Sequence, residues 1–275
     1  MAVEAGSSNT NNNQPNQNVT ISIIVLEMWT KFDIVSARTV DTKDGQKYVV
    51  YSIKIYQEGR SCDSQAIFVE RRYTDFLELY NNLRQGYPML TARISFPRKV
   101  LIGNFSSELI QSRVVSLENF LKVIAENVTL LDSVGFKSFL LGQDEVMAKR
   151  LLEAKKYSQA KPLLERNFKI LNKIHTERHP TVIVALCRLA ACCTADPTSL
   201  EDAAKYAELA LRRFDGISDV DLLYYYVPLL QMCNHLWHVS GRNPETLELR
   251  LTNLRQRGHK VDGCPTLLES MLTVE

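Results

Sequence analysis

In the stretch VERRYTDFLELYNNL (69–83) a strand pattern changes into a helix pattern at Tyr73. The residues that lead into it, AIFVERRY (66–73), are typical of a β-strand. Beyond it the apolar residues recur at spacings of three and four, as on one face of an α-helix: Phe76, Leu79, Tyr80 and Leu83. The sequence therefore predicts a strand that leads directly into a helix, and Gly86 followed by Pro88 predicts where that helix ends.

Two further strands are predicted upstream of this stretch. Residues 48–57 alternate between apolar and polar, while residues 21–29 and 32–40 are rich in β-branched and aromatic side chains. The Asp-Gly pair within DTKDGQ (41–46) is a strong hairpin signal, and EGRSCDSQ (58–65) supplies a second turn. Because consecutive strands joined by short turns pair with each other, we expect a three-stranded antiparallel meander.

Helices and one long loop follow these strands. An irregular loop is predicted over 87–103, and helices are predicted over 106–127 and 134–141. Three strands followed by helices indicate an α+β arrangement. We expect this domain to cover residues 20–142, with the joint to the next domain at Gly142 and the two residues after it.

The second half of the chain is predicted to be helical. Amphipathic segments separated by Pro or Gly predict helices over 147–156, 157–174, 181–195, 200–214, 219–237 and 245–257. Residues 155–171 are similar to residues 200–214, with Ala160 and Ala203 at equivalent positions, which indicates a helical-hairpin repeat. We therefore expect residues 143–275 to form an all-α domain that resembles long tetratricopeptide repeats.

The composition argues against two classes of protein. The chain of 275 residues carries 33 Lys and Arg against 31 Asp and Glu, a net charge of +2 that is too even for a protein held to nucleic acid by bulk charge. Its longest apolar runs are interrupted by charged residues and fall short of the roughly 20 residues that a membrane-spanning helix needs. Neither nucleic-acid binding nor a membrane span is expected.

The first residues predict a location. Residues 1–19 are rich in Asn, Gln and Ser and poor in hydrophobic side chains, which indicates a disordered tail rather than a secretory signal. We therefore expect a cytoplasmic protein in which the six cysteines are free thiols.

The adjacent pair Arg71 and Arg72 is the first candidate for chemistry. Side chains alternate along a strand, so the two arginines should face opposite ways, and one of them can point toward the loop at 93–99. An arginine beside a tyrosine can hold a phosphate with two hydrogen bonds while the aromatic ring packs against a sugar-like face. The alternative is a surface pair that bridges Glu70 or Asp75. This segment alone leaves both readings open.

The pattern Arg-Arg-Tyr-x-x-Phe after a third strand resembles the signature of the phox-homology (PX) domain, a phosphoinositide-binding module. The resemblance implies that Arg72 binds the inositol 3-phosphate and that Tyr73 stacks under the inositol ring. It further implies that Lys99, within FPRKVLIG, contacts the 1-phosphate and that Arg113, within ELIQSRVVSLENFL, binds the 4- and 5-hydroxyls. The loop departs from the common Pro-x-x-Pro run of the family, because its prolines stand far apart at 88 and 97.

The resemblance also implies where and how the protein works. Leu101 and Ile102 fall where the family carries a membrane-inserting tip, and ordinary core packing is their alternative. A PX domain followed by a tetratricopeptide-like domain resembles the small sorting nexins whose second domain is called the PX-associated B domain. That implies a peripheral membrane adaptor that docks on the cytosolic face of early endosomes through phosphatidylinositol 3-phosphate and recruits a protein cargo or trafficking factor with its helical domain.

Enzymatic and metal chemistry find little support in the sequence. We find no phosphate-binding P-loop, nucleophile elbow or His-Glu-x-x-His helix, so we expect no catalytic residue, no cofactor and no enzyme. The spacings His175-x3-His179 and Cys233-x-His235-x2-His238 are candidates for zinc, but core or surface placement is commoner, so no metal is expected. The alternative function is a cytosolic protein-interaction scaffold whose lipid site is weak or vestigial.

Overall fold

A computed structural model describes residues 30–57, 66–100, 102–215 and 222–273. The predicted tail at 1–19, the β-rich stretch at 21–29, the predicted turn at 58–65 and the membrane-tip candidate Leu101 lie outside the described residues.

The described part of the chain begins with the predicted antiparallel sheet. Strands β1 (Thr30–Asp41), β2 (Lys47–Gln57) and β3 (Ile67–Arg72) are hydrogen-bonded in sequence order. The Asp-Gly hairpin forms as expected. Gly45 adopts a φ of +73°, a backbone conformation that residues other than glycine rarely adopt. One face of the sheet is covered, and three alternate residues in the middle of β2 are fully buried: Tyr51, Ile53 and Ile55.

Five helices follow the sheet in the first half. They are α1 (Tyr73–Gly86), α2 (Pro88–Thr91), α3 (Ser107–Ala125), α4 (Val128–Leu131) and α5 (Val134–Leu141). Helix α3 packs on β1, and the Glu118 carboxylate accepts a 2.9 Å hydrogen bond from the Ile34 backbone N–H. This confirms the α+β arrangement with its three-stranded antiparallel sheet.

The prediction of an irregular loop throughout 87–103 is wrong at α2. Proline suits the first position of a helix because its missing N–H would have no partner there, and Pro88 stands at that position. The Thr91 hydroxyl donates a 2.9 Å hydrogen bond to the Tyr87 carbonyl, which closes the single turn. The remainder of this loop, up to Val100, is irregular as predicted.

The second half is helical, as predicted. It contains α6 (Gln143–Glu153), α7 (Tyr157–Ile174), α8 (Pro180–Ala195), α9 (Leu200–Phe214), α10 (Leu223–Val239), α11 (Glu245–Gln256) and α12 (Leu267–Thr273). Each helix from α6 to α9 packs on the next one in sequence, which fits hairpins; the tetratricopeptide likeness stays a prediction. Helix α6 begins four residues before the predicted start, and α12 was not predicted.

The two halves are joined without a spacer. Gly142, with a φ of +53°, ends α5 and precedes the first residue of α6 directly. Across the junction the Gln57 amide donates to the Lys173 carbonyl at 2.7 Å, and Arg166 donates to the Phe68 carbonyl at 3.2 Å. Arg166 also pairs with Asp144 at 2.6 Å. Sheet and helices thus hold each other through hydrogen bonds from side chains in both halves.

No single helix in the part of the chain that the structure describes is both long and apolar enough to cross a membrane. One pair of helical segments meets both criteria together, Pro180–Ala195 and Pro197–Phe214, which are bent by 114° relative to each other.

Candidate functional site

Arg71 points from β3 toward the end of α5. Its guanidinium donates to the carbonyls of Phe139 and Leu140, the latter at 2.8 Å. Carbonyls in the last turn of a helix have no partner within the helix, and they attract a positive charge. Burial lowers the pKa of Arg71. Arg71 therefore ties the sheet to α5, which is a structural role.

Arg72 faces the other way, as the alternation of the strand predicts. Its side chain is exposed, and its Cζ atom lies 3.4 Å from the centroid of the Tyr48 ring. Among the described residues its guanidinium forms no ion pair, because Glu70 pairs with Arg38 at 2.9 Å. Asp75 accepts a 2.7 Å hydrogen bond from the Arg72 backbone N–H instead. The surface-pair alternative is therefore wrong for Arg72, and its charge is available to an anion.

Tyr73 connects the end of β3 to the basic loop. Its side chain is 9% exposed, and its hydroxyl donates a 2.7 Å hydrogen bond to the carbonyl of Pro97. The Cζ atom of Arg113 lies 4.1 Å from the centroid of the Tyr73 ring. Burial raises the pKa of Tyr73, and the Arg113 charge opposes that rise. Tyr73 thus positions both the loop and Arg113.

Arg113 is a buried cation that is only partly satisfied. It is 3% exposed, and its Nη2 donates to Asn104 Oδ1 at 3.2 Å. Its Nε has no hydrogen-bond partner among the described residues. An unpaired buried donor costs about 1–3 kcal/mol, so a ligand that supplied an acceptor at this point would relieve a penalty already present.

The basic loop offers exposed charge beside an exposed apolar residue. Arg93, Arg98 and Lys99 are exposed, and none of them forms an ion pair within the described ranges. Ile102 is 90% exposed, so the core-packing alternative is wrong for this residue. Its insertion into a membrane stays a prediction.

Of the four predicted site residues, the structure brings two into direct contact and relates the other two to them through neighbouring residues. Tyr73 and Arg113 are in direct contact, Arg72 precedes Tyr73, and Lys99 lies two residues beyond the carbonyl that Tyr73 binds. Sequence reasoning missed two neighbours, Tyr48 and Asn104. The β2–β3 register, which pairs Val50 with Arg72, offered a signal for Tyr48; nothing in the sequence indicated the role of Asn104.

A cleft adjoins Arg72, which is part of its lining. It has a volume of about 660 Å³ and extends from the β3–α1 junction to α6 and α7. Its charged lining comprises Arg71, Arg72, Arg166, Glu70, Asp75, Glu78 and Asp144. Four carboxylates outweigh three guanidinium groups there, so the lining of this cleft as a whole disfavours an anion.

The first histidine pair identified in the sequence joins the two halves of the chain. His175 Nδ1 and His179 Nε2 lie 3.2 Å and 3.5 Å from the same carboxylate oxygen of Asp132, and the two rings stack at 4.1 Å. The His179 Nδ1 accepts the N–H of Thr181, which leaves the proton on Nε2, where it points to Asp132. A protonated Nε2 has no lone pair for a metal, so the geometry favours a hydrogen-bonded bridge.

The second candidate set for zinc does not assemble. Cys233 is fully buried, whereas His238 is exposed and pairs with Glu248 at 3.3 Å. Burial raises the pKa of the Cys233 thiol to about 12, which disfavours the thiolate that a metal requires.

Comparison with known proteins places these features in a family. The PX domain family matches residues 60–143. Sorting nexin-20 of Rattus norvegicus is 31% identical, over 83% of this chain and 72% of the relative. Sorting nexin-21 of Homo sapiens is 27% identical, over 88% of this chain and 63% of the relative. Among solved structures, a designed CISK-PX domain is 27% identical with a TM-score of 0.34, over 40% of this chain and 97% of that domain.

Proposed function

The chain belongs to the sorting nexin family and carries a PX domain, and we propose that it is a non-enzymatic adaptor that binds phosphatidylinositol 3-phosphate on the cytosolic face of early endosomes. The observation that carries this proposal is the exposed Arg72 guanidinium, which has no ion pair among the described residues and belongs to the residue directly before Tyr73, whose ring contacts Arg113. A guanidinium without a carboxylate partner is suited to bind a phosphate with two hydrogen bonds.

Each candidate residue has a role that its surroundings support. Arg72 binds the 3-phosphate, and exposed Lys99 binds the 1-phosphate as a mobile point charge. Arg113, whose Nε lacks a partner within the described residues, donates to the 4- and 5-hydroxyls. Tyr73 contacts the inositol ring and holds the loop and Arg113 in place.

The loop supplies a second contact with the membrane. Burial of an isoleucine side chain such as Ile102 contributes about 1.5–3 kcal/mol, and each basic residue near an anionic surface contributes about 1 kcal/mol. After the cost of immobilisation, these terms favour a micromolar, reversible interaction. We propose that the helical domain, residues 143–275, recruits a protein partner, whose binding sharpens targeting through avidity.

A second candidate function is a protein-interaction scaffold with a weak lipid site. It is favoured by the burial of Arg113, which is 3% exposed and already donates to Asn104. Under this alternative the helical domain does the work of the protein, and lipid binding is too weak to direct its location.

Flotation with vesicles separates the two functions. The full chain is mixed with vesicles that carry or lack phosphatidylinositol 3-phosphate. We expect binding only to the former, and we expect Arg72→Ala to abolish it. The matched control is Arg257→Ala, which removes the same charge from an exposed position in the helical half. Equal binding by wild type and Arg72→Ala would reject the assigned pocket, and no binding by wild type would favour the scaffold.

A further inference from the structure

We propose that Asn104 is a positioning residue that couples the exposed loop tip to Arg113 in the lipid site. This inference rests on the proposed function, because it concerns how that site is assembled. Asn104 stands between the tip residue Ile102 and helix α3, and it is partly buried. Its side-chain amide uses both of its polar atoms toward different elements.

The nitrogen of the amide closes the loop tip. Asn104 Nδ2 donates a 3.1 Å hydrogen bond to the carbonyl of Val100. The Ser106 backbone N–H donates to the Gly103 carbonyl at 3.0 Å. Val100 and Gly103 are therefore each bonded to a residue just before α3, and the apolar residue Ile102 is 90% exposed.

The oxygen of the same amide orients the buried guanidinium. Asn104 Oδ1 accepts the 3.2 Å hydrogen bond from Arg113 Nη2. Without this acceptor, Arg113 would keep its contact with the Tyr73 ring but would lose the hydrogen bond that directs Nη2 toward the loop. Because Nε already lacks a partner among the described residues, the guanidinium would then be less firmly oriented for a bound headgroup.

The two bonds complete a closed circuit around the site. Tyr73 binds the loop at Pro97, the loop is bonded to Asn104 at Val100, Asn104 binds Arg113, and Arg113 covers the Tyr73 ring. A displacement of the loop therefore displaces Arg113. Since coupling between two binding events is reciprocal, insertion of the tip should favour headgroup binding, and headgroup binding should favour insertion.

A purely local role for Asn104 in forming the turn is the competing explanation. Asn104 does not have a positive φ, so its backbone does not require asparagine, and alanine fits there without strain. Ser106 provides the matched control: its side chain caps α3 by accepting from the Leu109 N–H. Ser106→Ala perturbs the same loop without removing a contact to Arg113.

The test uses the full chain and soluble inositol 1,3-bisphosphate, measured by titration calorimetry without any membrane. Asn104→Ala should weaken this binding about tenfold, a loss within the usual range of coupling between sites, while Ser106→Ala should stay within about twofold of wild type. An unchanged affinity of Asn104→Ala, or an equal loss in both variants, would overturn the inference. If wild type itself binds no inositol 1,3-bisphosphate, the proposed function fails together with it.

A double-mutant cycle on vesicle binding tests the coupling itself. Ile102→Ser should weaken binding to vesicles that carry phosphatidylinositol 3-phosphate, and the loss should be smaller in the Asn104→Ala background than in wild type. Equal losses in the two backgrounds would show that the tip and the headgroup site act independently, and would overturn the coupling.

Discussion

Arg71 and Arg72 are adjacent in the chain, but we expect their substitutions to have different effects. Arg71→Ala should lower the stability of the fold, whereas Arg72→Ala should abolish lipid binding. Arg71→Ala removes two hydrogen bonds from a charged donor to the carbonyls of Phe139 and Leu140. Each such bond contributes about 1.5–3 kcal/mol. Because Arg71 is only partly buried, the lower end applies, and we expect the free energy of unfolding to fall by about 3 kcal/mol.

Arg72→Ala should have the opposite profile. Its side chain is exposed and loses only the stacking on Tyr48, which at an exposed site is worth about 0.5–1 kcal/mol. The backbone hydrogen bond to Asp75 survives the substitution. The unfolding free energy should therefore change by no more than about 1 kcal/mol, while binding to vesicles that carry phosphatidylinositol 3-phosphate is lost.

Urea denaturation and vesicle flotation on the two variants test this division directly. Both measurements use the full chain. The binding of Arg71→Ala is assayed without urea, at a temperature at which this variant remains folded. The reasoning is refuted if Arg72→Ala is destabilised as much as Arg71→Ala. It is equally refuted if folded Arg71→Ala loses lipid binding while Arg72→Ala keeps it.

Three further predictions concern residues around the site and the junction. Burial and His179 lower the pKa of His175 from 6.5 to about 4. Because the unfolded chain binds the proton more readily than the folded chain, the free energy of unfolding should fall as pH drops from 6.5 toward 4, by at most about 3 kcal/mol. The urea midpoint of His175→Gln should therefore depend less on pH than that of wild type. Gly142→Ala should cost about 1–3 kcal/mol in the same assay, because the new Cβ would lie 2.8 Å from Arg71 Nη2 at a φ of +53°. Tyr48→Leu should weaken vesicle binding several-fold in flotation by releasing Arg72, whereas an unchanged affinity would show that the ring does not orient the guanidinium.

Much of the fold follows from local patterns in the sequence. The Asp-Gly turn requires the positive φ that Gly45 adopts, and the helical spacing after Tyr73 follows the buried face of α1. Helices α7 and α9 have the predicted bounds because their apolar residues recur regularly between clear breaks. The turn α2 was missed because a single turn is too short to show a period.

The site was predicted less completely, because its contacts join residues that are distant in sequence. The alternation of side chains along β3 indicates that Arg71 and Arg72 face opposite ways. Only the position of α5 decides that Arg71 is the one that donates hydrogen bonds to helix carbonyls. Asn104 makes contact with Arg113 through a loop whose path no local pattern specifies. The bridge from Asp132 to His175 likewise forms only when the two halves pack together.

The most direct test is a crystal structure of the full chain with inositol 1,3-bisphosphate. We expect the 3-phosphate within hydrogen-bond distance of the Arg72 guanidinium, the 1-phosphate near Lys99 and a hydroxyl at Arg113. A headgroup bound instead in the cleft between Arg71 and Arg166, or bound without contact to Arg72, would contradict the assignment of the site.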